Sequence, residues 1–436
     1  MTSFSESGTG QHPLINFIHK RGALVWLVFT ACVIGPPISL GHGLPDVRLD
    51  EILILFLVLS SLFKFPFVEL RERHLRTTTL IFGAFAFSIT LSTVYASIFL
   101  KYRFNLRDLT EYITLGQFWL VYVLAANWRK IGKDSLKRLG MVALLATYLI
   151  VLFGFAQLYN WVGINAWLTP LYTAPIQMVG LTGGLHRTVG TFGNPNVWGF
   201  FMMMVLTFQV AWIYHQNLNF RSWKLYAQLG LFFLGLIALF MTLSRAAVLV
   251  MGIVLVYLSL SKLLRKHWNT KAIVITLLMI VVTVAALLAA PQSFLFRMAE
   301  GTHLTTSTSV TGRIEQWGTA WTLIRQSPIF GWGTAKGFLT TIVDNEFILI
   351  LRRYGLLGLG IFIALWVHFA RYAYQLLRRE RDPVLKTIGQ AAFTISIGII
   401  IFDLSSGVYY NLQVMPVYLL MMGTVRSWLT FKEAER

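Results

Sequence analysis

Long apolar runs separated by short polar clusters recur from one end of the chain to the other. Many reach the roughly 20 residues needed to cross about 30 Å of hydrocarbon as a helix. Backbone N–H and C=O groups in lipid must be bonded within the chain, so such runs are helices. The two-residue alternation of a membrane barrel is absent. The pattern predicts helices over 23–41, 50–68, 77–100, 113–127, 139–162, 197–214, 225–243, 246–262, 272–290, 346–371, 387–407 and 412–430. The expected fold is an all-α integral membrane protein with about 12 transmembrane helices, one polytopic domain over residues 1–436.

The polar clusters between the runs alternate in charge. Arg71, Arg73 and Arg76 fall in one connection, and Arg129, Lys130, Lys133, Lys137 and Arg138 in another. Further on come Arg221 and Lys224, then Lys262, Arg265, Lys266 and Lys271, then Arg378, Arg379, Arg381 and Lys386. The intervening connections are poor in Lys and Arg. The positive-inside rule then places both termini in the cytoplasm. Two connections on the opposite, extracytoplasmic side are long. One spans 163–196 and is rich in Gly, Thr and Pro; the other spans 291–345, before the tenth predicted helix. Loops this long in a compact chain are usually functional or disordered. Within the second, Ile314, Trp317, Trp321 and Ile324 recur at helical spacing, closed by Pro328, which predicts a short helix lying at the membrane interface. Trp161, Trp167 and Tyr172 read as interfacial belt residues.

Composition agrees. The chain is 56% hydrophobic and only 13% charged, too apolar for a soluble domain of 436 residues. Its net charge of +19 is dispersed among the connections and forms no basic face, so no nucleic-acid partner is expected. Cys32 is the sole cysteine, which excludes an intramolecular disulfide and cysteine-based metal sites. The first apolar run lacks a clear cleavage site and reads as a retained helix. Walker A, HExxH and DxD patterns are missing, so neither a nucleotide nor a metal cofactor is expected. Gly331-Trp-Gly-Thr-Ala-Lys-Gly337 follows no strand and is a weak phosphate signal.

The few extracytoplasmic charges carry the candidate chemistry. Arg187 sits in Leu185-His-Arg-Thr-Val-Gly-Thr-Phe-Gly-Asn-Pro-Asn196, where Asn194, Pro195 and Asn196 form a helix cap. Arg245 closes Thr242-Leu-Ser-Arg245 between two helices. A charge at mid-bilayer costs roughly 2.5–3.5 kcal/mol, so it is kept where it has a partner. A lipid pyrophosphate suits guanidinium groups, which bind it bidentately; a snorkelling arginine is the plainer alternative. Asp344, Asn345 and Glu346 open the tenth predicted helix, and Arg352 and Arg353 follow within it. Glu346 and Arg353 are seven residues apart and share a helix face. A carboxylate there is either a cap or a base for a sugar hydroxyl. Arg313 is a further cation for the same cavity, and Asp403 and His186 are weaker candidates.

These segments together resemble a known family. Gly190-Thr-Phe-Gly-Asn-Pro-Asn196, Thr242-Leu-Ser-Arg245, Gly312-Arg-Ile-Glu-Gln-Trp317, Ser327-Pro-Ile-Phe-Gly-Trp-Gly333, Asp344-Asn345 and Tyr354-Gly-Leu-Leu-Gly358 look like the O-antigen ligase and Wzy-type polysaccharide polymerase superfamily. The resemblance covers about 180–360. It implies a glycosyltransferase C-like bundle in the bacterial inner membrane. It implies transfer of a glycan from polyprenyl (undecaprenyl) pyrophosphate to an acceptor hydroxyl on the outer face, as in exopolysaccharide and cell-envelope biosynthesis, without metal or nucleotide. Arg187, Arg245 and Arg313 would then line the pyrophosphate site. Asp344 or Glu346 would be the base, and Asn194, Asn196, Asn345, Arg352 and Arg353 would lie nearby. Chain-length regulators and flippases are the implied protein partners. In the ligases a histidine precedes the asparagine that opens the helix after the long loop. Here Asp344 stands there, which favours a polymerase over a ligase. A secondary transporter of a small solute and a lipid flippase remain the competing classes; unmatched halves and uncharged helix interiors argue against transport.

Overall fold

The computed structural model describes residues 73–126, 133–168, 187–216, 221–263, 270–300, 308–336, 339 and 343–434. The predicted helices 23–41 and 50–68, together with His186 and Tyr172, lie outside the described residues. Every predicted segment from 77–100 onward has its helix. In chain order these are α1 (Arg73–Phe99), α2 (Leu109–Ala126) and α3 (Lys133–Leu158), followed by the single turn α4 (Ile164–Leu168). Then come α5 (Pro195–His215), α6 (Trp223–Met241), α7 (Arg245–Leu263) and α8 (Thr270–Leu288). The short helix expected within 291–345 is present as the longer α10 (Thr308–Gln326), preceded by a second short helix, α9 (Gln292–Glu300). α11 (Glu346–Arg379), α12 (Pro383–Phe402) and α13 (Val414–Ala434) complete the bundle.

Among the described residues no strand is present, and 7 helices are long and apolar enough to cross a membrane: α1, α2 with its preceding turn, α3, α5, α6, α11 and α12. Observed helices start up to six residues before the predicted ones. The apolar window misses polar first turns such as Lys133–Arg138 and Pro383–Lys386, the second of which a cap stabilises. Asp382 caps α12, its side chain accepting from Val384 and Leu385 N–H, with Pro383 at the first helical position. α12 stops at Phe402, not 407, because Asp403 begins a run of turns to Gln413.

α5 is the central helix. Within its apolar window 83% of residues are buried, against 28% for α3 at the periphery. Its neighbours are α6, α7 and α12. Gly199 lets α5 approach the Thr242–Ala247 turn, where a Cβ would meet Thr242, Ser244 and Ala247. Its buried Gln209 is satisfied inside the bundle, accepting from Tyr148 Oη (2.7 Å) and donating to the Gln228 carbonyl (2.8 Å).

α11 is two helices joined at a break. Gly355 has φ 63° and ψ −167°, a region essentially reserved for glycine. The break frees backbone groups above and below it, and the segment 328–333 takes them up. Trp332 N–H donates to the Arg352 carbonyl (3.0 Å) and Gly333 N–H to the Arg353 carbonyl (2.7 Å). Leu356 N–H donates to the Pro328 carbonyl (2.9 Å) and Leu357 N–H to the Ile329 carbonyl (3.3 Å). Irregular backbone within an apolar bundle is tolerated only when protein satisfies it in this way. The contact is so close that a Cβ on Gly331 would strike the Arg353 carbonyl, and one on Gly355 the Ile329 carbonyl.

Helix ends of alternating direction gather at one end of the bundle, hereafter the mouth. Thr188 N–H donates to the Met241 carbonyl at the end of α6 (3.1 Å), and Glu346 N–H to the Asp403 carbonyl at the end of α12 (2.9 Å). Gln413 Nε2 ties the turn before α13 to the Thr191 carbonyl before α5 (3.1 Å). Gly355→Ala is expected to lower the thermal stability of the purified protein in detergent, by about 1–3 kcal/mol from backbone strain alone. Gly360→Ala, whose Cβ meets nothing within 4 Å, is expected to leave it unchanged or raised.

Candidate functional site

The first group of candidate residues is built on the turn between α6 and α7. Thr242 ends α6, its hydroxyl donating to the Leu239 carbonyl (2.7 Å) and accepting from Ser244 N–H (3.1 Å). Leu243 is held at φ 53°, an unfavourable conformation for a branched side chain. This tight turn leaves the Thr242 carbonyl for Arg187, whose Nε donates to it at 2.8 Å. A second Arg187 nitrogen donates to Asn196 Oδ1 at 2.8 Å. Asn194 is used otherwise: its side chain accepts from Asn196 N–H (2.8 Å) and Val197 N–H (3.4 Å), capping α5. Arg245, half-buried, is the first residue of α7. Two distant arginines are thereby brought to one turn.

The second group lies at the start of α11. Arg313 Nε on α10 pairs with Asp344 Oδ2 at 3.1 Å, both side chains partly exposed. Asn345 caps α11, accepting from Ile348 N–H (3.0 Å) and donating to the Leu404 carbonyl (2.8 Å). Glu346 is buried directly behind it. Asp403 is fully buried and its Oδ1 accepts from Val408 N–H (3.1 Å). Burial, and then the nearby charge of Glu346, push the Asp403 carboxyl well above the usual range, with the Val408 bond acting in the opposite direction. Gly407 packs on the Glu346 carboxylate so closely that a Cβ there would push the carboxylate aside.

A third group was not foreseen. Glu111, in the first turn of α2, is buried and binds two cations: Arg353 at 2.8 Å and Lys336 at 3.1 Å. Lys336 N–H also donates to Asp108 Oδ1 (3.0 Å), and Asp108 further accepts from the Tyr102 hydroxyl and Asn105 N–H. The Arg353 guanidinium lies over the Tyr410 ring, 5.5 Å from its centre. Tyr410 and Tyr409 are held well above the ordinary phenol range by burial and then by the Glu111 charge, and stay neutral donors. Glu111 precedes the apolar stretch that marks its helix and looked like connection; Lys336 was read only as part of a Gly-rich segment. The available signal was a carboxylate within one turn of an apolar run.

The other expectations resolve as follows. The glycine-rich segment cradles no phosphate with Trp332 and Gly333, whose N–H groups are bonded to Arg352 and Arg353. Arg352 is buried, so it is not a mouth residue like Arg313. Trp161 and Trp167 are exposed on the bundle surface. Asp403, read as a weak candidate, is the immediate neighbour of Glu346. The segment 403–413 joins the groups, contacting Asn345 and Glu346 at one end and Thr191 at the other.

Residues 230–363, from α6 through the break in α11, match the family model described as O-Antigen ligase. The match contains Arg245, Arg313, Asp344, Asn345, Glu346, Arg352 and Arg353. Arg187, Glu111 and Asp403 lie outside it. No curated protein matches the chain.

Removing one partner of a buried ion pair strands the other charge, at a cost of about 3–5 kcal/mol. Glu111→Gln is therefore expected to lower the unfolding temperature in detergent markedly. Arg313→Gln, which breaks a half-exposed pair, is expected to change stability by about 1 kcal/mol or less.

Proposed function

From the premise that residues 230–363 form an O-antigen ligase domain of the ligase and Wzy-type superfamily, we propose that this membrane protein transfers a glycan from a polyprenyl pyrophosphate carrier to a sugar hydroxyl. Lipid-linked glycan ligation or polymerisation is what the family does; polymerisation is the finer reading, favoured by Asp344 at the position where ligases carry histidine. The proposal sets the chain in the bacterial inner membrane with twelve spanning helices, both termini cytoplasmic and the mouth extracytoplasmic. Its protein partners would be a flippase delivering donor and a chain-length regulator.

One observation carries the reading: Arg187 is bound to the Thr242 carbonyl at 2.8 Å, three residues before Arg245. That contact gathers scarce guanidinium groups where a diphosphate headgroup can reach them. Pyrophosphate is already a good leaving group, so catalysis here consists mainly of neutralising the negative charge that develops as it departs. Preorganised donors in a water-poor site do this best. Arg187 and Arg245 hold the diphosphate and Arg313 borders it. Of the two carboxylates, Asp344 is engaged by Arg313, whereas Glu346 Oε1 has no hydrogen-bond partner. Glu346 is therefore the proposed acceptor of the hydroxyl proton, and Asp344 orients the incoming sugar.

The break in α11 is the observation that favours transport, because transporters place broken helices at their binding sites. Here the freed backbone is filled by the chain's own 328–333 segment, which favours a fixed scaffold.

Arg245→Ala is expected to reduce transfer by about 100-fold or more, the loss seen when one such donor is removed. Polysaccharide chain length in cells with equal protein levels is the measurement. Unchanged chain length, or solute movement by the purified protein in liposomes, rejects the proposal.

A further inference from the structure

Two carboxyl groups meet at the bottom of the mouth, and each has an oxygen left over. Glu346 is 2% exposed and Asp403 is 0% exposed. The backbone N–H of Glu346 donates to the Asp403 carbonyl at 2.9 Å, so the two residues are locked together. Glu346 Oε1 and Asp403 Oδ2 are both buried and neither has a hydrogen-bond partner. Asp403 Oδ1 is already taken by Val408 N–H, and the Glu346 carboxylate is walled by the Cα of Gly407. A buried carboxylate oxygen without a donor is costly, and here the Glu346 carboxylate is close enough for its charge to act on Asp403.

A separate side chain points the same way. Tyr409, on the turn after Asp403, is 2% exposed and its hydroxyl is also without a partner. Its hydroxyl is near enough to Glu346 and Glu111 for both charges to act on it. The remaining titratable neighbours are accounted for. Arg353, one face with Glu346, is bound by Glu111 of α2, which also holds Lys336 of the 331–336 segment. Arg352 is buried on the adjoining face of α11. Tyr354 and Tyr410 bond to each other through their hydroxyls at 3.3 Å. Arg313 and Asp344 pair at the mouth. The cation facing Glu346 along its own helix is thus already shared with another carboxylate.

We propose that Glu346 and Asp403 hold one proton between them and together take up the proton released by the acceptor hydroxyl, an inference that rests on the glycan-transfer reading. A single proton satisfies both spare oxygens with one hydrogen bond and removes one of two like charges from a water-poor site, as in paired-carboxyl enzymes. The burial and the Glu346 charge that raise Asp403 act in the same sense. In the reaction, a lone pair of the hydroxyl oxygen forms the new bond to the anomeric carbon. The bond from that carbon to the pyrophosphate oxygen breaks, and its electron pair leaves with the pyrophosphate. The hydroxyl proton passes to the pair, which goes from singly protonated and anionic to doubly protonated and neutral, and later returns one proton to water. Asp403 is a positioning residue in this scheme, acting through Glu346.

Asp403→Asn keeps an Oδ1 acceptor for Val408 N–H and so is suited to the test. Full-length purified protein in lipid nanodiscs is examined by infrared spectroscopy at neutral pH, and its transfer from a polyprenyl-pyrophosphate-linked glycan is measured across pH. The wild type is expected to show the carbonyl stretch of a protonated carboxylic acid, and Asp403→Asn to lose it, because the like charge that keeps one proton on the pair at neutral pH is then gone. The acid limb of the transfer profile is expected to lie about one pH unit higher in Asp403→Asn, because sharing a proton depresses the lower of the pair's two titrations, with Asp403→Glu restoring both features. If Asp403→Asn fails to accumulate, Glu346→Gln serves, and should displace the same band by leaving the proton on Asp403 alone. A band indifferent to these substitutions, or an unmoved acid limb, overturns the pair. A wild type that shows the Asp403-dependent band but transfers no glycan overturns the glycan-transfer reading and the role of the pair in it.

Discussion

The carbonyls of Arg352 and Arg353, released where α11 breaks at Gly355, are the groups on which the mouth depends. In an apolar bundle water does not solvate them, and each unsatisfied group costs several kcal/mol. The N–H groups of Trp332 and Gly333 bind them, and in exchange Pro328 and Ile329 accept from Leu356 and Leu357. That exchange welds the segment before α11 to its middle. It also carries Lys336 to Glu111, which in turn fixes Arg353. One backbone constraint therefore sets the position of α2, of the segment 328–336 and of the charged first turns of α11 relative to one another.

Charge placement follows from the same scarcity of water. Three cations at the mouth are each held by something specific: Arg187 by a carbonyl and an amide, Arg313 by Asp344, Arg353 by Glu111. Such groups lose little freedom when a ligand arrives, which is what electrostatic preorganisation means in a site of low dielectric. The carboxyls are treated differently. Glu111 binds two cations through one oxygen, whereas Glu346 and Asp403 are neighbours joined through the backbone, each with a buried oxygen that has no hydrogen-bond partner. The first arrangement is suited to holding shape and the second to exchanging a proton.

Much of the architecture was legible in the residues. Helices announce themselves through unbroken apolar length, and the Asn194-Pro195 cap and the Thr242–Arg245 turn were visible as local chemistry. Arg187, Arg245 and Arg313 stood out because each sits beside a cap, a turn or a helix start. What was illegible depended on distant contacts. Nothing in Tyr354-Gly-Leu-Leu-Gly358 says that Gly355 breaks the helix, since its orphan groups are satisfied by residues twenty or more positions earlier. Glu111 lay just outside the apolar stretch that marks α2, and its partners are more than two hundred residues away. Asp403 read only as a weak candidate, because only the fold shows Glu346 against it.

The central claim is that the turn bearing Arg187 and Arg245 grips a lipid diphosphate. The most direct measurement is equilibrium binding of a polyprenyl pyrophosphate, against the matching monophosphate, to purified wild-type protein and the Arg187→Ala/Arg245→Ala double variant. The account predicts that the wild type prefers the diphosphate, with an affinity that weakens as salt rises, and that the double variant loses the preference. Equal binding of both lipids by both proteins would contradict it.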